Sequence, residues 1–216
     1  MLLADESLPP PLAALRGLMR SRQPAAERCE LCGLALSAEH EHLVEPATRR
    51  LVCSCTACAI LFDGRDSGRF RRVRRQLEQI DDFQITDAAW QSLSIPIDLA
   101  FLYVSAAVGG AAGGAVAIYP SAAGPIQSQL PPDAWQELLA ANPRLAELTA
   151  EVEAILVNRL GKRREYYRLS IDRCYELIGL IRIHWRGFSG GTEAWKRIDE
   201  FFAKLRAATE PAESTC

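Results

Sequence analysis

CELCGLALSAEHEHLVEPATRRLVCSCTAC, residues 29–58, opens on one Cys-x-x-Cys pair and closes on another. The first pair, Cys29-Glu-Leu-Cys32, is followed by Gly33, a residue type that tolerates the left-handed backbone of a tight turn. The second is Cys55-Thr-Ala-Cys58, with twenty-two residues between Cys32 and Cys55. Two thiolates spaced by two residues can share one tetrahedral ion, and a gap of this length lets two such knuckles close on the same ion. Residues 29–62 therefore read as a zinc-ribbon-like metal module, with Leu43-Val44 and Leu51-Val52 as short strands between its halves.

Zinc is the expected cofactor, because four soft ligands in a closed tetrahedron suit it and leave no position for substrate. A single iron would use the same spacing and is the alternative. Cys53 adds a fifth thiol beside Cys55, either as an alternative ligand, as a redox thiol or as a spare. His40 and His42 alternate along the chain and would share one face of a strand. With four thiolates already present, solvated histidines are expected there in preference to ligands.

Working outward, five of the seven cysteines fall within this module, and the N-terminus places Asp5 and Glu6 ahead of most of its apolar part, the wrong order for a secretory signal. Clustered cysteines without an export signal favour metal over disulfides and imply a cytoplasmic protein. A formal net charge of -2 supplies no global attraction to nucleic acid or acidic membranes, so a local patch would have to. Such a patch exists: Arg65, Arg69, Arg71, Arg72, Arg74 and Arg75 surround Phe70, with Arg49 and Arg50 upstream. Arg69, Arg71, Arg72, Arg74 and Arg75 are the candidate partner-binding or nucleic-acid-binding residues; a solvated linker or a docking face for an acidic protein is preferred, since a basic patch alone gives only non-specific phosphate affinity.

Residues 1–28 form a leader segment with a short amphipathic helix from Leu12 to Met19, and 63–94 an Arg-rich linker with short helices over Gln76–Ile80 and Thr86–Leu93. An α+β domain follows over 95–207, then a disordered tail, 208–216. The apolar stretch from Ile95 to Tyr119 is long enough to resemble a membrane span, but Pro96, Asp98 and four glycines interrupt it. It reads as a hairpin of Ile97–Ala106 and Ala115–Pro120, with no membrane insertion. Pro131–Ala141 reads as a helix with Asp133 as its cap; Glu151–Leu160 fits a helical face through Val152, Ile155, Leu156 and Leu160 or a strand turning at Gly161-Lys162 into Glu165–Ile171, and the strand is preferred. Asp172–Trp185 and Glu193–Arg206 carry helical apolar periodicity, and Trp185, Phe188 and Trp195 are expected to pin the corner between them to the core. His184 at the first helix's end reads as a capping residue and Cys174 as packing. The fold class expected is α+β: a zinc-ribbon-like module plus a C-terminal antiparallel sheet packed with helices.

No Gly-x-Ser-x-Gly elbow, phosphate-cradling loop or His-Glu-x-x-His motif occurs, and no catalytic residue is assigned. The combination of Cys29-Glu-Leu-Cys32-Gly33, His42-Leu43, Arg50-Leu-Val-Cys53-Ser-Cys55-Thr-Ala-Cys58, Ala117-Ile-Tyr-Pro120, Cys174-Tyr-Glu-Leu and Ile183-His-Trp-Arg-Gly-Phe188 resembles an uncharacterised bacterial family found in gene neighbourhoods of nickel-iron hydrogenases. The resemblance covers roughly residues 27–207. It implies an association with a hydrogenase component as protein partner and assigns no role to any residue. The expected function is a non-catalytic, zinc-binding accessory or assembly protein. A redox or metal-transfer protein using the cysteine cluster and a nucleic-acid-binding regulator are the alternatives.

Overall fold

The computed structural model describes residues 27–64, 68–106, 113–121, 124–187 and 190–209. The expected leader helix, Arg65, the glycine turn at 107–112, Phe188 and the residues after 209 lie outside these.

The ribbon forms first in the chain. Strand β1 (Glu41–Glu45) pairs antiparallel with β2 (Arg50–Ser54), and β3 (Arg71–Val73) adds to the other edge of β1. Strand alternation splits the apolar residues between two faces. Leu43 and Val52 turn to one side, where Phe70 and Leu31 join them. Val44 and Val73 turn to the other and enter the core of the larger domain, with Leu51 packed against it. A one-residue slip would exchange the two faces, so the register is tightly specified.

The second sheet has six strands in the order β4-β9-β8-β5-β6-β7, every neighbour antiparallel. These are β4 (Leu77–Gln79), β5 (Leu99–Ser105), β6 (Gly114–Ser121), β7 (Gly124–Gln129), β8 (Glu153–Asn158) and β9 (Glu165–Ser170). The hairpins β5-β6 and β8-β9 lie side by side through the β5-β8 pairing. Both faces of the sheet are covered. On one, Phe101, Leu156, Tyr167 and Leu169 pack with Ile171, Cys174 and Leu177 of α4 (Ile171–His184) and with Ile198, Phe201 and Phe202 of α5 (Gly191–Thr209). On the other, Leu102, Ala117, Ile155 and Val157 meet Trp90 of α2 (Asp87–Ser92) and Trp135 and Leu138 of α3 (Pro132–Ala141). Burial on both faces explains why β5 and β8 read as continuous apolar runs, Leu-Ala-Phe-Leu-Tyr-Val and Ala-Ile-Leu-Val, in place of alternation.

The α+β class, the two hairpins and the last two helices match the sequence reading; the segment after the ribbon differs in part. Gln76–Ile80 was expected to be helical, but Leu77–Gln79 is a strand, paired with Tyr167–Leu169. Three residues carry too little pattern to distinguish the two states, and the edge of β9 decides. Arg71–Val73 likewise finds its hydrogen-bond partners on β1. Thr86 caps the short α2 by accepting from the Ala89 N–H. At α3 the expected Asp133 cap is replaced by Pro131, with Pro132 in the first helical position and Asp133 one residue further in. Trp185 packs partly against the core, whereas Trp195 is 40% exposed, its ring tilted by 55° to that of Trp185 with 6.1 Å between ring centroids. Among the described residues no helix is long and apolar enough to cross a membrane.

Candidate metal centre

Both knuckles are built by local backbone geometry. In the first, Gly33 adopts a φ of 77° and its N–H donates to the Cys29 carbonyl at 2.8 Å, closing the turn around the two thiols. In the second, Cys55 is the N-cap of α1 (Thr56–Leu61); its sulfur accepts from the Cys58 N–H at 3.5 Å, so Cys55 and Cys58 share the first helical turn. The two turns meet. The Sγ atoms of Cys29, Cys32, Cys55 and Cys58 all lie within 4.8 Å of one another, with Cys32 and Cys55 3.7 Å apart. Four sulfurs at this spacing can hold a metal ion, each about 2.3 Å from a zinc-sized centre.

A residue that spacing arguments overlook keeps the knuckles in register. Glu30, between the first two cysteines, donates its N–H to the Cys53 carbonyl and accepts the Cys53 N–H on Oε1, each at 2.9 Å, and its carboxylate pairs with Arg50. The first knuckle is thereby stitched to β2, the strand that delivers the second. A glutamate between ligands is unremarkable in sequence, and only the fold reveals its partners.

The electrostatics show what four clustered thiols require. Burial opposes ionisation of Cys29, but hydrogen bonds from the backbone of Cys55, Leu31 and Cys32 outweigh it and bring its pKa down to about 6. Cys58 is pushed the other way, up to about 12, by burial and by the thiols around it. At Cys32 the Leu34 backbone favours the thiolate, yet Cys29, burial and Cys55 raise its pKa overall. Cys29 ionises easily while Cys32 and Cys58 resist, and a bound dication would supply the counter-charge that favours thiolates across the group.

The other singled-out residues fall into two groups. His40, His42 and Cys53 stand apart from the four-cysteine set: a donor atom from each lies within 4.8 Å of the others, and the imidazole centroids are 4.7 Å apart. His42 pairs with Cys53 across β1 and β2, so both project from the same face, and the His42 Nδ1 lies 3.0 Å from Asp172 at the start of α4. Asp172 sits 130 residues away in sequence and gave no signal. The arginines lie on the ribbon, and carboxylates of the same module answer most of them. Arg72 makes a two-pronged pair with Glu41 at 3.0 and 3.1 Å, Arg69 pairs with Glu45, Arg75 with Glu39 and Arg74 with Asp63. Arg71, paired with Val44 across the strands, faces the larger domain beside Thr149, Val152 and Glu153.

Around the knuckles the surface is apolar. Leu34 follows the first, and Ile60, Leu61 and Phe62 follow the second, all exposed, Leu61 by 76%. Leu61 and Phe62 line a shallow depression with Leu31, Val52 and Phe70, whose rim carries Arg50 and Arg69 together with Glu30 and Asp63.

No curated protein and no solved structure matches this chain. A family model does, over residues 28–209, which takes in both knuckles, the whole ribbon and the six-stranded sheet with its helices. By that match the chain belongs to a family of unknown function, DUF5947.

Proposed function

We propose that the protein is a metal-binding accessory factor in which Cys29, Cys32, Cys55 and Cys58 hold a structural zinc ion, and that the ribbon so ordered docks to a protein partner. The observation that carries this reading is the convergence of four thiols from two knuckles beside exposed Leu34, Ile60, Leu61 and Phe62. A closed four-sulfur site offers substrate no coordination position, so its product is shape. The shape it fixes is an apolar patch whose rim arginines are already paired with carboxylates, which suits an apolar segment of a partner. The hydrogenase resemblance supplies the first partner to try. Pairing of Arg69, Arg72, Arg74 and Arg75 with carboxylates argues against the nucleic-acid reading, because a neutralised arginine has less charge to offer a phosphate.

Elemental analysis of the full chain, with pull-down against hydrogenase components, tests the proposal. One zinc per four-cysteine group is expected, and Leu61→Asp with Phe62→Asp should weaken partner capture at least tenfold while zinc is retained. Iron in that group, or capture indifferent to both substitutions, would refute it.

A further inference from the structure

The second donor group, His40, His42 and Cys53, has the features of a metal site in its own right. Metal-binding histidines usually donate one ring N–H to a carbonyl or carboxylate, which fixes the tautomer and leaves the other nitrogen's lone pair for the ion. Both histidines meet that description. The His40 Nδ1 lies 3.0 Å from the Ser37 carbonyl, with the Glu27 carboxylate at 3.5 Å, and the His42 Nδ1 lies 3.0 Å from Asp172. The nitrogens left are the two Nε2 atoms. That of His40 is buried with no hydrogen-bond partner among the described residues, on a side chain only 7% exposed. A buried imidazole nitrogen without a partner is costly unless something binds it, and the available neighbours are another imidazole and a free thiol.

The group is also open on one side. His40, His42 and Asp172 line a groove of about 690 Å³ between the ribbon and α4, together with Tyr175 and Glu176, while Cys53 does not line it. An ion held by three protein atoms here would keep its fourth position toward the groove, the arrangement that distinguishes a reactive or exchangeable site from a closed structural one. We propose that His40, His42 and Cys53 form a second metal site, for a borderline divalent cation such as zinc, nickel or cobalt, with an exchangeable fourth position facing the groove. Two imidazoles and one thiolate suit that class better than magnesium or calcium, which take oxygen ligands. The inference is independent of the structural-zinc reading, because the two sets share no ligand.

Cobalt titration of the metal-free full chain, in reducing and oxygen-free buffer, tests it. The wild type should take two cobalt ions, and His42→Gln and Cys53→Ser should each take one while keeping the intense sulfur-to-cobalt absorption of the four-cysteine site. Added imidazole should perturb the visible bands of the second ion alone, and Asp172→Asn should loosen that ion by about 10–100-fold. Loss of the four-cysteine absorption in Cys29→Ser tests the other reading separately. A measurement on the unmutated chain removes any dependence on variant folding: cobalt beyond the first equivalent should slow alkylation of Cys53, followed by peptide mass mapping. A single cobalt in the wild type, two in the double variant His40→Gln/Cys53→Ser, or an alkylation rate at Cys53 indifferent to cobalt would each overturn the proposal.

Discussion

The ribbon and the six-stranded domain solve the same problem with different means. The domain buries apolar side chains on both faces of its sheet, with Phe101, Leu156, Tyr167 and Phe202 almost wholly removed from water. The ribbon's own apolar cluster amounts to Leu43, Val52 and Phe70, with Leu31 against it, and its remaining contacts are thiols, ion pairs and a face lent to its neighbour. A module of that size cannot offset its conformational entropy by burial alone. Stability in the domain rests on packing, so a lost methylene should cost it most, whereas the ribbon on the proposed reading rests on chemistry, so a lost ion should cost it most.

The largest effect should come from withdrawing metal. Structural zinc in small modules contributes on the order of 10 kcal/mol or more of binding free energy, which is folding free energy. Chelation, or Cys58→Ser, should abolish hydrogen-exchange protection in β1, β2 and β3 while β5 and β8 stay protected. Loss of protection in both regions together would mean that ribbon and domain unfold as one unit and share a single source of stability. Next in size is the converse experiment. Leu156→Ala, at a fully buried position of β8, should cost about 2–5 kcal/mol and lower the melting temperature of the domain while leaving the four-cysteine metal content unchanged.

The smallest expected effect is a pH dependence within the six-stranded domain. Burial works against ionisation of Glu153 on β8, but the Thr149 N–H and Arg168, each at 2.8 Å, hold its pKa below the ordinary carboxylate range. Its contribution is therefore full above the unfolded carboxylate's pKa and disappears as pH falls through the depressed folded value. Glu153→Gln should cost roughly 1 kcal/mol at neutral pH and flatten that part of the acid-denaturation profile, which urea unfolding at several pH values would read.

Much of this architecture was legible because its signals are local. Cys-x-x-Cys spacing marks a knuckle, Gly161-Lys162 marks a turn, and Ile198, Phe201, Phe202 and Leu205 mark one face of a helix. What escaped is short or distant. β4 and β3 are three residues each and exist because β9 and β1 present unpaired edges to them. β7, Gly124-Pro-Ile-Gln-Ser-Gln129, has no apolar alternation because most of it is exposed, and its place comes from main-chain bonds to β6. Four of the candidate ligands could be grouped from the sequence, but separating Cys53 with the histidines from Cys55 with the other thiols needed the β1-β2 register. Asp172 beside His42 and Glu30 beside Cys53 are contacts that no one-dimensional pattern encodes.

The six-stranded sheet ends, on one side, in a strand interrupted by Pro125 and, on the other, in a strand of three residues. A proline has no N–H to donate, and three residues offer almost no ladder to extend. Both margins therefore offer little to a chain that would extend the sheet, and misassembly by that route is disfavoured at either border.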